Sequence, residues 1–411
     1  MTKFRLETKA GALVDALKLV SRMIPKRSTV PILSSVLIRD RKITATDLDT
    51  EMVVPFAATS MRGGLAAPLS GLDVLHFLPA DTDITINETA RGAILSFAGG
   101  SYGIGTFPAE DFPSALPVGK PDSLSGNAAS GLPQALAGVS YAMSTEETRY
   151  YLNGVCLSAV GGEPCVVATD GHRLSWRYSH VPWGEDWHGA ILPIGAVFQI
   201  AAMGACDRVT LFKTDDGQPT ALRVEAGGAR LTTKLIDGVY PDWRRVVPSS
   251  LQGRDAQDNG ARRLVLPVKP LKAALRRLSS IRDDGRRLVL ITPQPMGQIA
   301  LSRRVHGELA VEVLVAPTDW SRYGSDARLS CGIAASISYF GELIRHATTD
   351  ETATLVCHTA LDEVTQVSGD PFGIGHERGA DILMPMRPDK PSSLDLQART
   401  KALVAELDEA A

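Results

Sequence analysis

Four side chains in this chain have types and spacing that could hold a divalent metal: Asp47, Asp49, Asp170 and His172. Carboxylates joined by an imidazole are plausible ligands for such an ion. The chemistry they would support is that of a metal-dependent phosphoesterase or nuclease. Against this, Thr46-Asp47 and Thr169-Asp170 stand at equivalent places in two loose copies of one sequence design. Equivalent positions in a long repeat belong to separate domains. An aspartate at a strand end, accepting backbone hydrogen bonds in a turn, accounts for both. No Gly-x-x-x-x-Gly-Lys-[Ser/Thr] phosphate loop occurs. The five cysteines (Cys156, Cys165, Cys206, Cys331, Cys357) are scattered, with no Cys-x-x-Cys. They read as buried thiols of a reduced, cytosolic chain, with neither disulfides nor zinc, and no cofactor is implied.

The elements that would position these residues recur. Leu13, Leu17 and Val20 form a helical stripe, with Lys18 and Arg22 four apart on another face. A hairpin follows (Val36–Ile38, Ile43–Thr46), then a weaker helix over Leu69–Leu78 and strands at Ile84–Ile86 and Ile94–Phe97. The pattern restarts with the stripe Leu132, Leu136, Val139, Met143, a hairpin at Val155–Leu157 and Val166–Thr169, and a helix over Ile194–Met203. Strands are expected around Val209–Phe212, Leu222–Val224 and Leu231–Leu235. A third round has Leu271, Leu275 and Leu278, a hairpin at Leu288–Ile291 and Ile299–Ser302, a helix over Ala334–His346, and strands at Thr354–Cys357 and Val364–Val367. A period of about 125 residues means duplicated domains, not a short-period solenoid. The expected division is 1–124, 125–249, a linker 250–261, 262–387 and a tail 388–411.

The chain has 411 residues, 44% hydrophobic and 22% charged, with a net charge of −3. That balance gives no global reason to bind nucleic acid, so any such binding must come from locally clustered Lys and Arg. The longest uncharged run, Ala190 to Cys206, is short for a membrane span and contains Pro193 and Gln199. Helices with basic outward faces, repeated around an axis, would hold a polyanion without reading its sequence.

Several long motifs resemble one family in its order: Val30-Pro-Ile-Leu33, Thr46-Asp-Leu48, Arg149-Tyr-Tyr-Leu-Asn-Gly154, Ala168-Thr-Asp-Gly-His-Arg-Leu174, Lys234-Leu-Ile-Asp-Gly-Val-Tyr-Pro-Asp-Trp-Arg-Arg-Val246 and Met384-Pro-Met-Arg387. Over residues 1–387 the chain resembles the beta subunit of bacterial DNA polymerase III, the sliding clamp. The resemblance implies an α+β fold of three similar clamp domains, each with two helices packed on antiparallel sheets. Two chains would assemble head-to-tail into a ring. It implies a processivity subunit with no active site of its own, cytoplasmic and associated with the nucleoid. Its partners would be double-stranded DNA held topologically, the polymerase III alpha subunit, the clamp loader, other polymerases and repair proteins acting through short peptides, and a second copy of itself. A clamp-scaffold antagonist of polymerase or loader is a further reading.

By the same resemblance, the partner-peptide cleft would comprise Arg149, Tyr151, Leu152, Thr169, Gly171, His172, Arg173, Leu174, Pro241, Arg245, Val246, Tyr339, Ile382, Met384, Pro385, Met386 and Arg387. Adaptable Met side chains and apolar walls suit Leu and Phe anchors, while Arg and His at the rim suit peptide polar groups. DNA-facing candidates are Lys18, Arg22, Arg27, Arg149, Lys272 and Arg276. Interface candidates are Tyr102 and Leu278. The middle copy departs from the family, since its first helix carries Gln134, Ser140 and Tyr141 and its second begins Ile194-Gly195. Basic charge is therefore concentrated in the first and third copies, which predicts weaker or more localised DNA contact than in a typical member of the family. The tail carries Ser393-Leu394-Asp395-Leu396, similar to the core of the peptides that dock in the cleft.

Overall fold

The computed structural model describes residues 3–24, 29–113, 116, 119–125, 131–179, 181, 189–248, 251, 262–281, 287–293, 298–306, 308–315, 333–347, 352–357, 372–376, 379–385, 399–400 and 402–405. The strand expected at Val364–Val367, Arg27, Met386, Arg387 and Ser393–Leu396 lie outside these, as does the 250–261 linker apart from Leu251. The chain forms two compact units. One takes residues 1–140, 149–159 and 179–240, and the other takes 141–148, 160–178 and 241–411.

Five α-helices precede the tail among the described residues: α1 (Ala10–Val20), α2 (Leu132–Val139), α3 (Ile194–Ala202), α4 (Val268–Ser280) and α5 (Ile337–Ala347). The stripe of α1 buries Leu13, Leu17 and Val20 against Val36, Ile38, Ile84, Ile86 and Leu95. The stripe of α4 buries Leu271, Leu275 and Leu278 against Ile299, Leu301, Phe340 and Leu343. Each apolar face is thus covered by a sheet or a sister helix, as helices with one apolar stripe require.

Two sequence expectations need correction. Leu69–Phe77 is a 3-10 helix, not an α-helix. Its buried residues Leu72 and Leu75 follow the three-residue period of that tighter coil. Gly71 also lies so close to the next layer that a Cβ would come within 2.7 Å of Ile104 Cγ2. The helix expected from Ala334 begins at Ile337, because Ile333–Ser336 pairs as a strand with Leu288–Ile291.

In the first unit, a five-stranded antiparallel sheet runs Ser60–Arg62, Arg5–Lys9, Asp83–Thr89, Gly92–Phe97, Gly100–Ile104. A nine-stranded sheet continues from the first copy into the second through Thr50–Pro55 and Ala229–Lys234. The two strands are tied by the Thr50 and Thr233 hydroxyls at 3.0 Å. The hairpin expected at 36–46 turns at Asp40 and Arg41, both with positive φ (52° and 58°), as a tight two-residue hairpin turn demands.

The second unit repeats this device between the second and third copies. Arg173–Tyr178 pairs antiparallel with Gly379–Leu383, setting Leu174 opposite Ile382 and Ser175 opposite Asp381. Gly379 (φ 151°) is required there, since a Cβ would sit 2.0 Å from the Trp176 carbonyl oxygen. A separate four-stranded sheet runs Glu308–Val315, Gln298–Val305, Leu288–Pro293, Ile333–Ser336, with Glu308–Val315 at its edge among the described residues.

Candidate functional site: a braced cleft in the second unit

The turn that opens the site is built by its own sequence. Thr169 Oγ1 donates to the Arg173 carbonyl (2.6 Å) and accepts from Gly171 N (3.1 Å). Asp170 Oδ1 accepts from His172 N (2.9 Å) and Arg173 N (3.0 Å). The earlier copy repeats the pattern. Asp47 Oδ1 accepts from Asp49 N (3.0 Å) and Thr50 N (2.6 Å), while Thr46 Oγ1 donates to the Thr50 carbonyl (2.9 Å). Side-chain oxygens mimicking the backbone are the reason Asp and Thr suit such turns. The two aspartates are therefore turn formers in different units, and among the described residues no group of three metal-ligating side chains gathers.

The left-handed position of each turn differs. Gly171 holds it in the second copy (φ 89°) and Leu48 in the first (φ 78°), where a side chain is strained.

Arg173 leaves this turn and becomes a brace. Its Nε donates to Asp170 Oδ2 at 3.0 Å, its Nη1 pairs with Glu342 of α5, and its guanidinium lies 5.2 Å from the Tyr141 ring centroid and 4.8 Å from that of Tyr339. Opposite charges and aromatic faces on a guanidinium this enclosed fix the side chain. Arg173 had been expected at the rim as a recognition group. It is instead 12% exposed, and its charge is spent within the protein.

Beneath it lies a buried carboxylate. Asp381 is 0% exposed and accepts from Ser175 Oγ (2.5 Å), Tyr141 Oη (2.8 Å) and Arg177 Nη2 (2.6 Å). Arg177 Nη1 also donates to the carbonyls of Trp176 (2.8 Å) and Ala380 (3.1 Å). Burial first, and then the Asp381 charge, push the Tyr141 phenol well above its ordinary value, so it stays a donor. Tyr141 stacks on His346 with centroids 4.3 Å apart. Burial, reinforced by Arg345, holds the His346 imidazole below its ordinary value.

The exposed face is small. His172 stacks on Tyr339 (5.7 Å between centroids), and the His172 carbonyl accepts from Met384 N at 2.9 Å. Met384 and Pro385 are half-buried and His172 is exposed. Tyr339 is raised above its ordinary phenol value by burial and by Asp170. Pro241, Arg245 and Val246 are exposed on or beside the short turn Trp243–Val246, whose buried Trp243 packs 6.2 Å from Trp176.

Of the residues expected in the cleft, the structure brings together Thr169, Gly171, His172, Arg173, Tyr339 and Met384 in this way. Leu174 (1% exposed) and Ile382 (0%) are core residues of the paired strands, and they form the site's floor without offering it a surface. Leu152 is buried, and Arg149 and Tyr151 are half-buried; all three belong to the first unit. Arg149 has a non-helical backbone (φ −113°, ψ 50°). Among the DNA-facing candidates, Arg22 and Arg276 are exposed, Lys272 is half-buried, and Lys18 pairs with Asp15 at 3.1 Å. Tyr102 is 49% exposed on the edge strand Gly100–Ile104 and stacks on Phe97. Leu278, expected at an interface, is 3% exposed in the core under α4, because its position continues the apolar stripe.

The residues missed from sequence are Tyr141, Ser175, Arg177, Glu342, His346 and Asp381. Tyr141 had stood out only because it replaces a basic residue; the structure gives it a partner of its own. Asp381 lies three residues before the closing Met384-Pro-Met-Arg387 motif, and nothing local marked it as a buried charge.

Comparisons with known proteins identify the family and the fold. A family model described as DNA polymerase III beta subunit, N-terminal domain, matches residues 2–117, and one described as its central domain matches residues 128–242. The beta sliding clamp of Caulobacter vibrioides is 32% identical over 355 residues, covering 81% of this chain and 91% of the relative. That of Pseudomonas putida is 28% identical over 388 residues, covering 92% and 98%. Among solved structures, the beta sliding clamp of Caulobacter crescentus is similar with a TM-score of 0.74 at 27% identity, covering 94% of this chain and 99% of the other. A Bartonella birtlesii sliding clamp bound to griselimycin reaches 0.76 at 26% identity, covering 94% and 100%.

Proposed function

The chain belongs to the DNA polymerase III beta subunit family, the beta sliding clamps, and we propose that its braced cleft receives short peptides of replication partners. As a sliding clamp it acts on duplex DNA without reading sequence, and it lends processivity to a polymerase that carries the catalytic site. The polymerase III alpha subunit and a clamp loader are the partners we assign to the cleft, with other polymerases and repair proteins using it in turn. The observation that carries this reading is the grouping of exposed His172, stacked on Tyr339, with the backbone of half-buried Met384. Apolar and adaptable walls with few polar groups suit a Leu- and Phe-bearing peptide. The brace below it holds the walls fixed, so binding need not first order them.

The ring is proposed to close head-to-tail through two different strands that are sheet edges among the described residues. One is Gly100–Ile104 with Tyr102 in the first unit, and the other is Glu308–Val315 in the second. Heterologous pairing of unlike edges gives a closed ring when the rotation closes. α4 flanks the second edge through the bidentate pair of Arg277 with Glu312 (2.7 and 2.8 Å). Arg22 and Arg276, with Lys18 and Lys272, are the DNA contacts we assign.

The test is binding of a labelled Gln-Leu-Asp-Leu-Phe peptide to the full chain and to His172→Ala and Met384→Ala. Loss of a well-packed contact residue costs more than about 1 kcal/mol, or roughly fivefold in affinity. Unchanged affinity in both variants would remove the cleft assignment.

A further inference from the structure

The tail after the closing motif includes helical residues 399–400 and 402–405. Thr400 is 0% and Val404 4% exposed, Leu403 is half-buried, and Arg399, Ala402 and Ala405 are exposed. The covered positions are i, i+3 and i+4, one face of a helix. A helix this short is not stable alone in water, so its ordered, covered face implies a surface beneath it. The tail belongs to the second unit, and Arg399 pairs with Glu308 at 3.7 Å. Glu308 is the first residue of the edge strand Glu308–Val315, directly after the turn from Gln298–Val305. The ion pair is exposed on both sides (47% and 85%), so it orients the segment while burial of Thr400 and Val404 holds it.

We propose that residues 399–400 and 402–405 form a docked clasp, and that they compete with a second copy of this chain for the edge strand Glu308–Val315. A free edge is a template for strand addition, and a covering helix is one way a protein blunts it. This rests on the ring reading above, in which that edge meets the next chain. A two-chain ring closes only when the clasps of both chains are open, so the apparent dissociation constant of the dimer rises by the reciprocal of the squared open fraction.

The experiment uses the full chain and two variants, Val404→Asp and Arg399→Glu. Hydrogen exchange is followed over residues 399–405 and 308–315, and sedimentation measures the dimer dissociation constant. In the unaltered chain the amides of 402–405 are expected to be protected, with protection lost in Val404→Asp. A clasp closed nine-tenths of the time predicts dimerisation about a hundredfold tighter in Val404→Asp, about tenfold for each of the two chains. Arg399→Glu gives a smaller change in the same direction, reversed by pairing it with Glu308→Arg. Unprotected tail amides in the unaltered chain overturn the clasp. Protected amides with an equal dimer constant in all proteins overturn the competition and leave the ring intact. Absence of any dimer in every protein overturns the competition and the ring reading together.

Discussion

Replacing Asp381 with Ala tests the foundation of the site. The carboxylate is fully buried, accepts three side-chain hydrogen bonds, and faces Arg177, whose side chain is 8% exposed. Removing it leaves a buried guanidinium without its counter-charge and two hydroxyls without their acceptor. Breaking one side of a buried ion pair costs about 3–5 kcal/mol. For a folding unit of about 150–250 residues each kcal/mol shifts Tm by about 2–4 °C, which gives a fall of roughly 6–20 °C. Scanning calorimetry of the full chain, following the transition of the second unit, reads this directly. The double variant Arg177→Met with Asp381→Leu removes both charges and should recover most of the loss, because two apolar side chains need no compensation. A shift below about 2 °C in Asp381→Ala would refute the reasoning, since the pair would then be solvated or replaced by another partner. A double variant as unstable as the single one would show that the cost lies in packing and not in charge.

The two turns make a matched prediction. Gly171→Val should lower stability by about 1–2 kcal/mol because its φ of 89° excludes a branched side chain, whereas Leu48→Gly should cause no loss, since it relieves the same strain in the first copy. Denaturant midpoints of both variants check this, and equal destabilisation would contradict it. Glu51 links stability to pH. Burial raises its carboxyl above the ordinary 4.5, with Arg230 and Arg223 pulling it partly back. The folded state therefore holds this proton more tightly than the unfolded chain. Glu51 contributes fully below the ordinary value, and that contribution is lost as pH rises through the raised one. Glu51→Gln, which keeps a neutral side chain at every pH, should gain stability relative to the unaltered chain between pH 4 and pH 7. A pH-independent difference between the two would count against it.

Much of the architecture was legible because it is written in short-range pattern. The stripes of α1 and α4 needed only the 3.6-residue period, and both helices lie where that period puts them. Leu278 shows the limit. The stripe that located the helix also consigned this residue to the core, and its assignment to an interface ignored that. The helix at Leu69–Phe77 was legible as a helix but not as a 3-10 one, because its few buried positions fit both periods in so short a run. Several edge strands, among them Ser60–Arg62 and Gly100–Ile104, lack alternation strong enough to announce them.

The sequence by itself determined the family and the chemistry of the Thr-Asp turns, because each depends on residues within a few positions of one another or on motifs in fixed order. Only the tertiary structure decided what Arg173, Tyr141 and Asp381 do. Arg173 meets a carboxylate 169 positions away and Ser175 one 206 positions away. Such contacts depend on which strand pairs with which, and no local preference encodes that pairing. The same physics turned an expected rim charge into an internal brace: once its guanidinium was enclosed by Asp170, Glu342 and two rings, its charge had to be satisfied inside the protein.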